Sequence, residues 1–276
     1  MKFEKILALE RELNTQLNKY VSDIEVYLYK SLEKLAQENS CVKDNALLIA
    51  ATDTTIALGK ALGIATMAYA NPEIPNQTYA GVDMLVEGFE EVDMDFLEKV
   101  YQRHHHIPWT ILETERCVIR ELTLDDLDDL FELYDNGEVS RYTDSLHAYE
   151  EEKEFQRAYI ENMYRYFGYG LWLVFSKDTG ALIGRAGLEH REYHDEIELD
   201  LGYVIGTKYQ RQGFATEICE AIIEYAKENA GFERINVLIK EGNLASEKLA
   251  QKLGFLHLED LETENGCFHR FALNFF

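Results

Sequence analysis

Cysteine and proline are scarce in this sequence. Its four cysteines are scattered along 276 residues with no paired spacing, which excludes a disulfide framework and a cysteine-based zinc cluster. They are Cys41, Cys117, Cys219 and Cys267. The three prolines, Pro72, Pro75 and Pro108, all lie in the first 108 residues. This uneven distribution is the first sign that the chain has two parts of different character.

Positive charge is scarce as well. Lysine and arginine number 27 against 51 aspartates and glutamates, which gives a formal net charge of −24. Nucleic acids select basic surfaces through their phosphates, so we expect no nucleic-acid partner. An acidic surface attracts cationic small molecules by long-range steering, but it also serves solubility alone. The charge therefore favours an amine substrate only weakly.

Long hydrophobic runs are missing too. No stretch approaches the roughly 20 apolar residues that a membrane span requires. Glu4, Glu10 and Glu12 interrupt the opening residues, so the sequence predicts no secretory signal. We expect a cytoplasmic protein without a membrane partner.

The residues that are present suffice for two packed domains. Apolar residues make up 46% and aromatic residues 12% of the chain. The composition changes near "HHHIPWTILETE" (residues 104–115), so we divide the chain into domains 1–106 and 107–276. The histidines at 104–106 are a candidate metal site. Such a run at a helix end is usually solvated, however, and with no second ligand cluster we predict no metal.

In domain 1–106, apolar residues at helical spacing from Phe3 to Tyr20 predict a helix, and "VYLYKSLEKLAQ" (residues 26–37) predicts another. A helix at "TIALGKALG", closed by Gly63, and a final helix at "DMDFLEKVYQRH" follow. Short apolar runs predict strands at "ALLIAAT", "IATMAYA" and "DMLVEGF". Because these strands alternate with helices, we expect a small parallel α/β sheet.

That succession, over residues 42–104, resembles the C-terminal half of a haloacid-dehalogenase-type phosphatase. In that family a strand ends in an acidic magnesium site, but the matching positions here are Ala51 and Thr55. Asp53 is out of register, and Asp93 opens a helix, where an acid serves as a cap. Phosphoryl transfer needs a metal held by carboxylates. We therefore interpret the domain as a degenerate, non-catalytic one.

Domain 107–276 also mixes strands and helices. Helices are predicted at "TLDDLDDLFELYDN", which has a Thr cap, at "EEEKEFQRAYIENMYRYF", after Gly213, and within "NLASEKLAQKLGF". Strands are predicted at "ERCVIREL", "LWLVFSK", "ALIGRAGLEH", "IELDLGYVI", "RINVLIK" and "CFHRFALNF". The domain is therefore of the α/β class.

The turn in "YQRQGFATEICEAII" (residues 209–223) suits an anion. The first N–H groups of a helix have no partner inside it, so those of residues 212–216 are free to face a phosphate. Gly213 allows close approach, and Ala215 keeps a nearby position small. In the alternative interpretation, Gly213 is only a turn glycine.

The order of segments over residues 112–276 resembles the GNAT acetyltransferases. The most similar branch holds the ribosomal-protein N-terminal acetyltransferases and their small-amine relatives. "LETERCVIREL" matches the opening strand, "DLGYVI" the fourth strand, "QRQGFA" the acetyl-CoA signature, and "NLASEKLAQKLGF" the late loop and helix. The resemblance implies a mixed-sheet GNAT fold and transfer of acetyl from acetyl-CoA to an amine by direct attack. The acceptor is a small molecule or a peptide N-terminus, and a homodimer is allowed. A non-catalytic CoA-binding or interaction module is the alternative.

The resemblance also implies the residues that bind the cofactor. Strand four is expected to diverge from strand five, so that the backbone of Tyr203, Val204 and Ile205 pairs with the pantetheine arm. Asn243 offers its amide to that arm, or caps the late helix. The pyrophosphate would lie at the turn formed by Gln210, Arg211, Gln212, Gly213, Phe214, Ala215 and Thr216.

Catalysis needs a proton acceptor, because only about one alkyl ammonium in a thousand is neutral at pH 7. Acids alternate along strand four and share a face: Asp200 is our first candidate base, Glu198 the second, and Glu196 is interpreted as solvated. Many relatives protonate the leaving thiolate with a tyrosine in the late helix. Ala250 occupies that place here, and Ser246 fits the serine of the ribosomal-protein branch.

Overall fold

The computed structural model forms two compact units, unit one (Met1–Trp109) and unit two (Thr110–Phe276), each with its own sheet. Within the described residues, no helix is long and apolar enough to cross a bilayer. The described residues are 4–9, 11–13, 24–39, 43–135, 139, 141–143, 145–263 and 265–275.

Unit one contains a five-stranded parallel sheet in the order β2-β1-β3-β4-β5, as the alternation of strands and helices predicted. Apolar side chains form a hydrophobic cluster around each of its two helical layers. Its elements are β1 (Lys5–Leu9), β2 (Glu25–Tyr29), α1 (Leu32–Asn39), β3 (Ala46–Ala50), α2 (Asp53–Leu62), β4 (Ala65–Tyr69), β5 (Met84–Val86) and α3 (Met94–His104).

The predicted helix from Phe3 to Tyr20 is wrong where the structure describes it. Lys5–Leu9 is strand β1, and Ile6, Leu7, Ala8 and Leu9 are all fully buried. Four consecutive buried apolar residues are typical of a central parallel strand, which is covered on both faces. The rest of the predicted helix, residues 14–20, lies outside the described residues.

The second predicted helix is right only in its second half. "VYLY" belongs to strand β2, and helix α1 starts at Leu32 after Ser31, whose hydroxyl accepts the Lys34 N–H. Aromatic and β-branched residues favour a strand, and the serine supplies a helix start. Both signals outweigh the helical spacing of the apolar residues.

The other helices and strands predicted for unit one are confirmed, because capping residues mark the helix ends. Thr52 caps α2 through the Thr55 N–H, and Gly63 closes it in the left-handed conformation with φ 66°. Asp93 caps α3, as expected of an acid at a helix start, by accepting the Phe96 N–H at 2.8 Å.

Unit two contains an eight-stranded mixed sheet in the order β12-β13-β11-β10-β9-β8-β7-β6. Helix α6 packs on β9 and β10, α7 on β11, and α4 on β9. The strands are β6 (Thr110–Glu113), β7 (Cys117–Arg120), β8 (Leu171–Ser176), β9 (Leu182–Tyr193), β10 (Glu196–Ile205), β11 (Arg234–Lys240), β12 (Leu256–Thr263) and β13 (Gly266–Asn274). The helices are α4 (Leu127–Tyr134), α5 (Tyr149–Tyr159), α6 (Phe214–Asn229) and α7 (Leu244–Lys252).

The sequence analysis missed strands β6 and β12. They are the two edges of the sheet, and most β12 side chains are exposed, so neither strand carries a clear apolar alternation. The predicted helix over residues 150–167 is also divided, because a π-helix (Ile160–Phe167) continues α5.

Strands β10 and β11 are the parallel pair of this sheet, and they diverge. β10 pairs with β9 from Glu196 to Ile205, but it pairs with β11 only at Leu199–Ile235 and Asp200–Asn236. Both strands are described along their whole length. A slot therefore opens between them after Asp200, as the sequence analysis expected of strands four and five.

Candidate functional site

The slot between β10 and β11 exposes a backbone edge inside the sheet. Tyr203, Val204 and Ile205 lie on the part of β10 that pairs with β9 on one side but not with β11 on the other. Backbone groups at such an edge need a partner, which an extended chain or water can supply. The slot can therefore accept an extended ligand by strand-like pairing.

A tight turn closes the end of the slot. A short 3-10 turn (Thr207–Tyr209) follows β10, and the Gln210 side chain donates to the Ile205 carbonyl at 2.9 Å, which ties the turn to the strand. Arg211 and Gly213 have φ values of 59° and 87°. These left-handed residues reverse the chain so that α6 begins at the slot.

The first turn of α6 presents unpaired backbone donors. The Glu217 N–H donates to the Gly213 carbonyl at 3.2 Å, so the N–H groups of Phe214, Ala215 and Thr216 precede the first intrahelical hydrogen bond. Together with the helix dipole, they make the turn suitable for a phosphate group.

Two cations from distant parts of the sequence lie at this turn. Arg116 donates to the Gln212 carbonyl at 3.0 Å, and its guanidinium lies 4.1 Å from the Phe214 ring centroid. The same guanidinium also pairs with Glu217 of α6, with Nε 2.7 Å from Oε2. Lys252, at the end of α7, donates to the Thr216 hydroxyl at 3.3 Å. The sequence analysis missed both residues, since neither lies near the glycine signature in the chain.

Asn243 and Ser246 lie at the start of α7. Asn243 is the N-cap of this helix, and its Oδ1 accepts the Ser246 N–H at 3.3 Å. Its side-chain Nδ2 is not used by this contact, so the cap is compatible with a donor role towards a ligand. Ala250 is buried in the same helix and offers no hydroxyl.

The Tyr203 side chain is a feature that the sequence analysis did not consider. Its hydroxyl is buried beside Ser246, but makes no hydrogen bond of normal length and angle with the described residues. Burial raises the pKa of Tyr203, and the Ser246 side chain opposes that rise. The phenol therefore stays protonated at neutral pH. An unsatisfied buried hydroxyl is costly and often has a functional role.

Glu198 is surrounded by donors. Its carboxylate accepts from Arg234 Nε at 2.5 Å, from Asn236 Nδ2 at 2.9 Å and from Arg270 Nη2 at 2.8 Å. Burial alone would raise its pKa, but these hydrogen bonds lower it to about 2. A carboxylate held in this way is a poor proton acceptor at neutral pH.

Asp200 lies two residues further, at the point where the strands diverge. It is 4% exposed and accepts from Arg191 Nε at 2.6 Å and from the Tyr193 hydroxyl at 2.8 Å. Burial raises the pKa of Asp200 even though Arg191 opposes the rise. Asp200 is therefore better suited than Glu198 to accept a proton. Glu196, on the same face, is exposed at the start of the strand.

The histidine run of unit one lies at the end of α3 and is used in packing. His104 Nδ1 lies 2.9 Å from Asp83 Oδ2, and its Nε2 lies 3.3 Å from the Gly63 carbonyl oxygen. Burial lowers the pKa of the next residue, His105. These contacts fix the His104 ring within unit one.

Comparisons with known proteins agree with this geometry. The uncharacterized N-acetyltransferase YoaA of Bacillus subtilis (strain 168) is 30% identical over 152 residues, which cover 52% of this chain and 82% of YoaA. An acetyltransferase from Salmonella typhimurium, described as modifying the N-terminal serine of ribosomal protein L7/L12, superimposes with a TM-score of 0.51 at 15% identity, covering 59% of this chain and 97% of its own. RimL, a ribosomal L7/L12 alpha-N-protein acetyltransferase solved in complex with coenzyme A, also gives 0.51 at 15% identity, with coverages of 59% and 97%.

The family match lies in unit two. These two solved structures support the fold, and the sequence match carries the family assignment. Residues 116–256 match the family described as "Acetyltransferase (GNAT) domain". The chain thus belongs to the GNAT family of acetyltransferases, which use acetyl-CoA as their acetyl donor.

Proposed function

We propose that unit two transfers the acetyl group of acetyl-CoA to a primary amine, which belongs to a peptide N-terminus or to a small molecule. The observation that carries this proposal is the slot between β10 and β11, which ends at the unpaired N–H groups of α6. An extended arm and an anionic group joined end to end would fill both parts, and coenzyme A has this form.

The cofactor would lie as follows. Its pyrophosphate accepts from the N–H groups of residues 212–216, with Gln210 and Arg211 shaping the turn and Arg116 and Lys252 adding positive charge. The pantetheine arm pairs with the backbone of residues 203–205 and reaches Asn243. The thioester then lies near Asp200, where the strands separate.

Acetyl transfer at this position is a direct attack. The neutral amine forms the new N–C bond with the thioester carbonyl, the C–S bond breaks, and coenzyme A leaves as a thiolate. Asp200, through a water, would accept the proton that the amine loses. Tyr203 or Ser246 would return a proton to the thiolate, since the two hydroxyls lie beside each other where the start of α7 meets β10. We assign Glu198 to holding Arg270 and Arg234, not to proton transfer.

A cavity beside α4 suits a cationic acceptor. It has a volume of about 410 Å³ and is lined by aromatic, acidic and small side chains. Helix α4 also approaches the end of β10, where Leu133 lies against Gly206, the residue that follows the strand. Carboxylates and aromatic rings attract an ammonium group. We favour a peptide N-terminus, because the Salmonella typhimurium neighbour is described as modifying one. The lining residues are Phe131, Glu132, Tyr134, Asp135, Ser145 and Leu146.

We also propose that unit one is a degenerate, non-catalytic relative of haloacid-dehalogenase-type phosphatases. Glu12 is 1% exposed and accepts from the Ala51 N–H at 2.8 Å and the Thr55 hydroxyl at 2.6 Å, the two positions where that family has its metal-site acids. The Asp53 carboxylate accepts hydrogen bonds from the Thr78 N–H at 3.0 Å and from the Tyr79 N–H at 2.9 Å. These carboxylates are used in holding the fold together, and the described residues of unit one bring no acidic cluster together for magnesium.

The test of acetyl transfer is an acceptor screen with two readouts. Thiol release from acetyl-CoA would be measured with peptides of varied N-termini, polyamines, aminoglycosides and amino acids, and the product mass would be checked. A peptide acetylated beforehand is the control. We expect a mass increase of one acetyl group on the free peptide only. Tight acetyl-CoA binding with no acetylated product from any acceptor would favour a CoA-binding module instead.

A further inference from the structure

The hairpin of β12 and β13 carries two histidines and an aspartate at one spot. Asp260 Oδ1 lies 2.8 Å from His257 Nε2 and 2.6 Å from His269 Nδ1. One ligand atom from each of the three side chains lies within 4.8 Å of the others. Among the described residues of unit two, this is the only group of three histidine, cysteine or acidic side chains whose ligand atoms lie this close together.

A β-bulge makes this meeting possible. His257 and Asp260 are three residues apart, and in a regular strand they would point to opposite faces. The register shifts between His257, which pairs with Phe271, and Glu259, which pairs with Arg270, so Leu258 is an extra residue. Asp260 therefore pairs with His269 on the same face as His257. Bulges of this kind often re-aim side chains at functional sites.

We propose that His257, Asp260 and His269 form a site for a divalent transition metal ion, with Zn²⁺ as the ion that fits best. Two imidazoles and a carboxylate are ligands that zinc accepts, and three protein ligands leave a position for water. Ligands about 2.0–2.1 Å from a tetrahedral zinc lie about 3.3 Å from one another. The three side chains need only small rotations to reach that arrangement.

The surroundings favour a cation. Glu247 and Glu241 place further negative charge near His269. The three side chains are 46%, 57% and 24% exposed for His257, Asp260 and His269, so an ion from solution can reach them. The His257 ring also packs edge-on against Phe271, with centroids 5.3 Å apart, which limits its orientations.

The alternative is that Asp260 only bridges two histidines by hydrogen bonds, and a zinc titration decides between the two. The chelator-treated full chain would be titrated with ZnCl₂ by calorimetry, and Co²⁺ would report the coordination geometry by visible absorption. Variants His257→Ala, Asp260→Asn and His269→Ala each remove one ligand. The matched control is His194→Ala, because His194 is also exposed and also pairs with a carboxylate, Glu259, at 2.8 Å.

We expect the wild type to bind one zinc ion per chain. The affinity for zinc should be at least about 10-fold lower in each ligand variant and unchanged in His194→Ala. In the Co²⁺ spectrum, the ligand-field bands should disappear in the same three variants. If Asp260→Asn and His269→Ala gave the same zinc titration as the wild type, the proposal would be overturned, and the role of the cluster would be hydrogen bonding. The result does not depend on whether acetyl transfer is demonstrated.

Discussion

Replacing Glu198 by glutamine should destabilise unit two while leaving acetyl transfer by the folded enzyme intact. Glu198 is 7% exposed and holds Arg234, Asn236 and Arg270 around one carboxylate. Glutamine keeps the shape but removes the charge. Arg270, which is 3% exposed, then retains Glu259 as its partner at 2.8 Å. A buried arginine that loses one of two carboxylates is a known source of large destabilisation.

The size of the effect follows from the pKa of Glu198, which falls from 4.5 to about 2 on folding. Each pH unit corresponds to about 1.4 kcal/mol, so the ionised form adds about 3 kcal/mol to the free energy of unfolding at pH 7. Because the folded pKa is the lower one, this stability is present above pH 4.5 and is lost as the pH falls towards 2. At pH 3.5 about 2 kcal/mol should remain.

The assay must report unit two alone. The two tryptophans are Trp109 in unit one and the buried Trp172 in unit two, so a Trp109→Phe background leaves Trp172 as the fluorescent probe. Urea titrations at pH 7 and pH 3.5 would compare Glu198→Gln with Glu196→Gln, an exposed position on the same strand. We expect losses of about 3 and about 2 kcal/mol for Glu198→Gln, and less than about 0.5 kcal/mol for the control.

Two outcomes would refute this reasoning. One is a Glu198→Gln variant as stable as its parent at pH 7, which would mean that the network contributes nothing net. The other is an equal loss at both pH values, which would mean that the effect is steric and not due to the charge. A large fall in kcat with unchanged stability would instead assign Glu198 to proton transfer.

The remaining predictions concern the cofactor, the base, the proton donor and unit one. Gly213→Glu places a negative charge at the proposed pyrophosphate site and should weaken acetyl-CoA binding at least about 100-fold in calorimetry. Gly213→Ala, which has the same left-handed strain at φ 87° without the charge, should weaken it much less. Asp200→Asn should lower kcat by roughly 10² to 10⁴, with partial recovery at high pH as more amine arrives neutral, and an unchanged pH–rate profile would exclude Asp200 as the base. Burial raises the pKa of Asp200, so the activity of the wild type should decrease when the pH is lowered and Asp200 becomes protonated. Tyr203→Phe should lower kcat more than Ser246→Ala if the phenol supplies the proton, and the reverse order would give that role to Ser246. The purified chain should show no magnesium-dependent phosphatase activity, and hydrolysis that is lost in Asp53→Ala would contradict the assignment of unit one.

Local signals made much of the fold predictable. The caps at Thr52, Gly63 and Asp93 mark helix ends by hydrogen bonds within a few residues, so a single sequence suffices to find them. The turn at Gly213 is similar, because its left-handed conformation and the helix that follows are encoded in one short segment. Strand β1 was misassigned because its helical spacing competed with a buried run, and only the neighbours β2 and β3 decide between them.

The parts of the site that were missed all depend on contacts between residues that are distant in the sequence. Arg116 reaches the α6 turn from the connection between β6 and β7, and nothing near it in the sequence indicates a phosphate. Tyr203 was expected to act through its backbone, and its unsatisfied hydroxyl becomes visible only when α7 is placed beside β10. His257, Asp260 and His269 need an extra residue in β12, and the sequence carries no sign of that bulge.

The slot and the charge distribution together explain why a cofactor belongs at this place. A break in strand pairing at the edge of a sheet is ordinary, but β10 is a central strand, and its unpaired edge begins after Asp200. Buried backbone groups without partners are costly, so the fold keeps this edge only if a ligand or water occupies it. In a chain with a net charge of −24, the turn that closes the slot carries Arg211 and lies against Lys252 and Arg116, and of these cations Arg116 is also paired with Glu217. A local reversal of charge next to an incomplete sheet favours an elongated anion over water, and acetyl-CoA meets both conditions.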